Sequence, residues 1–354
     1  MSVEYDTNDG IFITAVRISK TIIPEVVVCK EFWILLILNI TVRTLRAYEI
    51  FEPEANDVDL PWKLTGVTGS LMAFFVCFYN GHQFTRYNML YEITQELNET
   101  LIELNTKLRV ELPNRAVQRK VAKLVLASIY IFYFERTGSG DGGGKISKAE
   151  FYQLWKLDLL DEQDIRAVKA HCRHLKSDSI ASFLVLQWAI ELFMHHTEDK
   201  PSREDMLAGF QANMYTVRRC QTIVTQTMEL PMPFQYFHIM NLMLMLNLVL
   251  WAYSLGCEDS YFAPIIYMFV QMMFQGLREL STSLSDPFGQ DEVDFDINDW
   301  MKSLYSRIHS IMEDDFDFET LGIKHGDHKL APLAEVRQKV NAHVDLESNH
   351  GSFS

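Results

Sequence analysis

Positive charge is in short supply. The 354 residues hold 32 Lys and Arg against 47 Asp and Glu, a formal net charge of -15. Nucleic acid is thereby excluded as a partner, because phosphate binding needs a basic surface. Cysteine is scarce as well. Cys29, Cys77, Cys172, Cys220 and Cys257 are odd in number, widely scattered and without C-x-x-C spacing. That pattern excludes a disulfide framework and a zinc site. No H-E-x-x-H, no Ser-His-Asp signature and no phosphate-binding glycine loop is found, so an enzyme is not expected. The opening "MSVEYDTNDG" has Glu4, Asp6 and Asp9 and no apolar run. It is neither a secretory signal nor an Arg-rich transit peptide. The chain is therefore expected to begin in the cytosol and to reach a membrane through internal segments.

Apolar residues are abundant: 48% hydrophobic and 12% aromatic, enough to bury a large core. A bilayer core of ~30 Å takes about 20 mostly apolar helical residues. Four stretches approach that: Phe32–Thr41 "FWILLILNIT", Leu64–Gly81 "LTGVTGSLMAFFVCFYNG", Leu230–Cys257, and Ser260–Leu277. The second and third carry no Asp, Glu, Lys or Arg, and only Glu258 and Asp259 separate the third from the fourth. They read as two helical hairpins, the first joined by the acidic loop "FEPEANDVDLPW". A mean hydropathy of -0.03 also suits a soluble all-α protein, but Leu230–Cys257 is too long for an ordinary core helix.

Charge sets the topology. The loop at residues 51–62 has Glu52, Glu54, Asp57 and Asp59 and no Lys or Arg, whereas Lys107, Arg109, Lys120, Arg218 and Arg219 lie between the hairpins. Positive charge stays cytoplasmic, so both termini and the middle are placed inside, with Arg43 and Arg46 as an exception near the outer end. The resulting plan has a cytosolic N-terminal segment (1–30), a first transmembrane hairpin (31–81), a cytosolic helical region (82–227), a second hairpin (228–285), and an acidic turn with the C-terminal tail (286–354). In the middle region "ITQELNETLIELNTKL" has helical periodicity, "RKVAKLVLASIYIFYFE" reads as a buried helix, and "RTGSGDGGGKIS" as a flexible loop.

Three motifs invite chemistry. Ser70, Phe74 and Phe78 fall at i, i+4 and i+8 and share one helical stripe. In one subunit such a stripe is a packing face. Repeated around an axis, it would line a narrow apolar passage that presents ring edges to an anion and closes by dewetting. "SDPFGQDEVDFD" sets Asp286, Asp291, Glu292, Asp294 and Asp296 around one turn. It is either a solvated tail or a site for a hard cation such as Ca²⁺, which takes six to eight oxygens. "SGDGGGKISKAE" follows an EF-hand loop only loosely: Gly143 stands where a side-chain oxygen is needed. It reads instead as a linker ending in a helix cap, Ser147 with Glu150 three residues on. The prolines of "LPMPF" suit either a first helical turn or a kink.

These motifs carry a resemblance. "DPFGQDEVDFD" resembles the "N-P-F-G-E-D-D-D-D-F-E" stretch that closes the transmembrane part of the bestrophins. "MSVEY" is similar to their "M-T-V-T-Y", and "FFVCFYNGHQFTRYNMLYE" to "F-V-L-G-F-Y-V-T-L-V-V-T-R-W-W-N-Q-Y-E". The family's Arg-Phe-Pro triplet is replaced by "ERTGSG", and a neck glycine by Cys77. The resemblance implies an all-α membrane protein of four transmembrane helices per subunit, assembled as a homopentamer around a central pore. It implies a multi-pass Ca²⁺-activated channel for anions such as chloride or bicarbonate, and the lack of a transit peptide points to the plasma membrane rather than an organelle. Residue by residue, it puts a calcium clasp on the side chains of Asp291 and Asp294 and the carbonyls of Gly10, Ser283 and Asp286. It puts the neck on Ser70, Phe74 and Phe78, and a cytosolic aperture on Asp205 and Met206. The competing readings are a Ca²⁺-sensing peripheral protein without a pore and a cation-permeable channel, the latter suggested by Asp205.

The topology has a direct test. Asn98 of "NET" matches the glycosylation acceptor pattern, yet it is placed in the cytosol. Expression in a eukaryotic host should yield no glycan at Asn98, and mass-spectrometric detection of one would reverse the topology.

Overall fold

A computed structural model of the chain describes residues 17, 21–50, 60–112, 114–137, 146–175, 181–197, 203–230, 233–289, 291 and 293–313. The chain divides into two units, Met1–Met312 and Glu313–Ser354, and the description below concerns the first. The described residues form eleven α-helices and no strand: α1 Ile23–Val28, α2 Lys30–Ala47, α3 Trp62–Glu111, α4 Arg115–Thr137, α5 Lys148–Lys156, α6 Glu162–Leu175, α7 Ala181–Thr197, α8 Arg203–Glu229, α9 Phe234–Gly256, α10 Ala263–Ser283 and α11 Ile297–Glu313. Local chemistry sets several starts. Proline sits in the first turn of α1 and of α10, where no N–H is needed, and Pro233 caps α9. Ser147 and Glu150 form the reciprocal capping box at α5, as their spacing predicts.

The long helix α3 organises the rest. Its 50 residues span roughly 75 Å at ~1.5 Å per residue. One side is buried along nearly the whole length at alternating three- and four-residue steps: Thr65, Gly69, Met72, Val76, Tyr79 and Gln83, then Leu90, Thr94, Leu97, Leu101, Leu104 and Leu108. This is the seam that a heptad-like pattern produces. The helix passes residue 81, the expected end of the first hairpin, without a break.

Two cores form along that seam. The upper one joins Leu35 of α2, Met72, Val76 and Tyr79 of α3, Met240, Leu244 and Leu248 of α9, and Tyr267 of α10. The lower one surrounds α4, in which Leu124 to Glu135 are buried without interruption, as expected from its apolar run. Helix α7 packs along α4 and α8 along α3, while α11 contributes Met301, Leu304 and Ile308. Three tyrosine and serine hydroxyls in this core are paired. Tyr130 Oη donates to the Met301 carbonyl at 2.8 Å, Tyr133 Oη to Asn98 Oδ1 at 2.8 Å, and Ser128 Oγ to the Ser182 carbonyl at 2.8 Å.

The upper bundle has the surface of a membrane protein. Trp33, Ile34 and Ile37 on α2, Ile239 and Leu246 on α9, and Ile266 and Phe269 on α10 are all exposed. That girdle is far larger than a soluble monomer tolerates. Among the described residues, two helices are long and apolar enough to cross a bilayer, α3 from Lys63 onward and α9. The 18 residues of α2 include Lys30, Glu31, Arg43 and Arg46, and α10 carries Gln271, Gln275, Arg278 and Glu279, which dilutes both. Arg43 and Arg46, the exception to the charge rule, are engaged locally. Arg43 donates to the carbonyls of Glu258 (3.2 Å) and Ser260 (2.5 Å), and Arg46 pairs with Asp259 at 3.3 Å. The C-terminal end of α2 is thus tied to the α9–α10 turn.

Close helix approach depends on small residues, as in membrane bundles generally. A Cβ at Gly69 would lie 2.3 Å from the ring of Trp251, whereas one at Gly66 would have nothing within 4 Å. Gly69→Ala should therefore destabilise the upper bundle, on the order of 1–3 kcal/mol from overpacking. Gly66→Ala should be neutral or gain about 0.5–1 kcal/mol from helix propensity. Thermal melts of both variants in mild detergent compare them, and equal melting temperatures would show that the α3–α9 contact is not tight.

Candidate functional site

Opposite the buried seam, α3 presents a second stripe. Phe74 is 64% and Phe78 58% exposed. Their rings stack at 6.4 Å with planes 20° apart, and Phe75 meets Phe74 edge-on at 5.8 Å. Ser70 is exposed, but its Oγ donates back to the Gly66 carbonyl at 2.8 Å. Its hydroxyl hydrogen is therefore held by its own helix, which moderates the polarity it brings to the stripe. The sequence reading stopped short at both ends. Val67 is exposed one turn earlier, and Gly81 and Thr85 are exposed beyond. Steps of 3, 4, 4, 3 and 4 residues from Val67 through Ser70, Phe74, Phe78 and Gly81 to Thr85 keep all six within one face; alternating i+3 and i+4 steps would have found them.

Just below, the acidic turn docks on the same helix. Ser283 ends α10, and the chain turns at Asp286, whose carbonyl accepts from Gly289 N at 3.2 Å. The turn is held by aromatic residues. Phe288 is buried and meets Phe295 edge-on at 5.5 Å. Phe295 packs against Tyr87 of α3 at 4.8 Å and Trp300 of α11 at 5.1 Å. Tyr87 Oη donates to the Val293 carbonyl at 2.9 Å. These anchors were missed in the sequence. Their signal was the interleaving of Phe288, Phe295 and Trp300 with the acids, a pattern a purely solvated tail does not need.

The carboxylates differ sharply. Asp291 is exposed. Asp294 is 8% exposed; its Oδ2 accepts from Asp291 N at 2.5 Å, and its Oδ1 has no partner among the described residues. Burial pushes the Asp294 carboxyl up to about 6, against the Asp291 N–H bond, with repulsion from Asp291 and Asp286 adding to the rise. Gly289 is required by space here. A Cβ there would lie 2.8 Å from Asp294 Oδ2. Among the described residues no three His, Cys, Asp or Glu side chains group as a metal cage. The donor set instead combines one buried carboxylate with an unmatched oxygen, one exposed carboxylate and turn carbonyls. A hard cation fits that set, because an ionised oxygen buried without a partner calls for a counter-charge.

The other predicted residues fall elsewhere. Gly10 lies outside the described residues, as do residues 138–145 of the EF-hand-like loop. Asp205 is exposed in the first turn of α8. Met206 is only 7% exposed and belongs to the lower core, so the two do not present one common surface.

Comparison with known proteins agrees with this architecture. The model of the family described as Bacterial/Fungal Bestrophin protein matches residues 7–310. No curated protein matches the sequence. Among solved structures, a point mutant of a bacterial bestrophin homolog from Klebsiella pneumoniae superposes with a TM-score of 0.69 at 16% identity, covering 80% of this chain and 98% of that one. A bacterial bestrophin homolog from the same organism, phased by Zn-SAD, gives 0.67 at 15%, with 80% and 97% covered. A structure described as a membrane protein with a single proline replaced by alanine gives 0.68 at 16%, with 81% and 100% covered. These likenesses concern the fold, and the family match, extending over most of the 354 residues, concerns descent: the chain belongs to the bestrophin family.

Proposed function

We propose that the chain is a Ca²⁺-activated anion channel, a homopentamer in which α2, α3, α9 and α10 cross the plasma membrane and five copies of α3 surround the pore. One observation carries this reading: α3 bears an exposed aromatic stripe on one side and the docked acidic turn on the other. A lone subunit has no use for stacked, solvent-facing Phe74 and Phe78. Around an axis the same rings make a neck that passes a weakly hydrated anion such as chloride or bicarbonate and shuts by dewetting. Ser70 stands at the outer side of that neck. Asp291 and Asp294 would hold Ca²⁺ through their carboxylates, and Gly10, Ser283 and Asp286 through their carbonyls. The ion supplies positive charge to the buried Asp294. The chain's own part is to keep that carboxylate aimed inward and to transmit its state through Phe295 and Tyr87 to α3. The exposed Asp205 favours a second reading, a cation-permeable pore. Reversal potentials in a chloride gradient separate the two, and bilayer recording of purified protein with Ca²⁺ varied tests the proposal as a whole.

Three outcomes are expected. Phe74→Ala with Phe78→Ala should leak in the absence of Ca²⁺, because removing rings lets water into the neck; an unchanged Ca²⁺-free conductance would return the stripe to the role of a packing face. Asp291→Asn should shift Ca²⁺ activation to higher concentration, on the order of tenfold for one lost ionic ligand. Asp286→Asn should leave it in place, since the carbonyl remains. Equal sensitivity to both would mean that the turn acts as a diffuse charged surface.

The third concerns pH without Ca²⁺. The folded state raises the Asp294 pKa to about 6 from an ordinary 3.8, so the folded protein binds the extra proton. The associated stability is fully present below about 4 and is lost as pH rises through about 6. Asp294→Asn, neutral throughout, should melt higher than the wild type at pH 8 and close to it at pH 4 and below. A difference independent of pH would show that Asp294 is not titrating in a buried site.

A further inference from the structure

A cavity of about 220 Å³ opens in the upper bundle, between the start of α2 and the facing sides of α9 and α10. Leu35, Leu244 and Leu248 form its hydrocarbon wall, and Asn241, Gln275, Arg278 and Glu279 its polar wall, with Glu31 at the edge. Met245, also lining it, is 64% exposed, so the cavity reaches the outer surface of the subunit. On the topology set by charge, the end of α10 and the beginning of α2 place it at the cytosolic side of the bundle.

Most of the polar wall is already matched. Arg278 Nε donates to Asn241 Oδ1 at 2.8 Å, its Nη1 donates to Glu279, and Asn241 Nδ2 donates to the Phe237 carbonyl at 2.9 Å. Gln275 is different. It is only 9% exposed, and its Oε1 has no partner among the described residues. A buried acceptor left in this state has given up its water without gaining a hydrogen bond in return. The charges are also unequal, with Glu31 and Glu279 against Arg278. An anion meets a net negative wall, and a plain hydrocarbon leaves Gln275 without a donor. A positively charged N–H donor on an apolar chain answers both.

We propose that this cavity binds a protonated primary amine carried on a short aliphatic chain, the ammonium against Gln275 Oε1 and Glu31 and the chain along Leu35, Leu244 and Leu248. At roughly 30 Å³ for each water-sized group, the space holds about seven, the size of hexylammonium. The same chemistry comes from a free alkylamine or from an ethanolamine lipid headgroup.

The test is thermal unfolding of the full-length protein with hexylamine, 1-hexanol or hexanoate titrated at neutral pH. Hexylamine should raise the melting temperature saturably, and hexanol and hexanoate should not. Gln275→Leu and Glu31→Gln should each weaken half-saturation about tenfold, the loss of one charge-assisted hydrogen bond. Gln275→Glu, which keeps the shape and adds charge, should tighten it. In nanodiscs, loss of the hexylamine effect with phosphatidylethanolamine but not phosphatidylcholine identifies the lipid as the source, and persistence in both identifies the free amine. Stabilisation by hexanol equal to that by hexylamine, or unchanged affinity in both Gln275 variants, would overturn the proposal.

Discussion

The buried seam of α3 is the constraint on which the other elements depend. Most helical stability in proteins comes from packing of one face, and this helix of 50 residues is covered on one side along nearly its whole length. The same three-and-four spacing is therefore filled twice with different chemistry. In the upper half Thr65, Gly69, Met72 and Val76 admit α9 closely, and in the lower half Leu97, Leu101, Leu104 and Leu108 build a core against α4 and α8. Covering one side leaves the other free. The free side is aromatic and apolar from Val67 to Phe84 and acidic from Glu92 to Glu103. The helix thus passes from an apolar to a polar surface without changing its packing rule, and a single continuous element joins the upper and lower cores.

The acidic turn adds an opposing tendency. Burying a carboxylate without a counter-charge costs free energy, and the fold nonetheless buries Asp294 while leaving Asp291 outside. What keeps it there is the aromatic clamp of Phe288, Phe295, Tyr87 and Trp300. Aromatic pairs contribute about 0.5–1.5 kcal/mol each beyond their buried area, enough in sum to hold an unsatisfied oxygen in place. A site built this way leaves one buried oxygen without a partner among the described residues, and on the proposed function an arriving cation would offset that cost.

Much of this was legible in the residues, and the boundary is physical. The Ser70, Phe74 and Phe78 stripe follows from spacing alone, and so do the buried α4 and the Ser147–Glu150 cap, because these are local regularities. Continuity of α3 was not legible: the pattern changes from apolar to polar near Thr85, and a change of solvent looks like a change of element. Nor could the sequence separate Asp294 from Asp291, or turn Met206 inward. Burial at those positions is decided by partners on α3, α4 and α11, which are distant in sequence. Gly289 leaves room for close approach to a carboxylate, a contact only the folded chain reveals.

The geometry of α3 also fixes the direction in which the turn can act. Tyr87, which holds the Val293 carbonyl, lies nine residues beyond Phe78. At about 100° per residue that is two and a half turns, so the two side chains leave the helix on opposite sides, roughly 13 Å apart along its axis. A push on Tyr87 is therefore directed straight through the helix toward the face that carries Phe78. Sideways displacement would be resisted by the Leu90 and Leu97 seam below and by the Val76 and Tyr79 contacts above. Movement along the line joining the seam to the stripe meets only the exposed Phe74 and Phe78. In the proposed ring of subunits that line would be the radius of the pore, where a small radial shift of a hydrophobic constriction would separate a dewetted neck from a wet one.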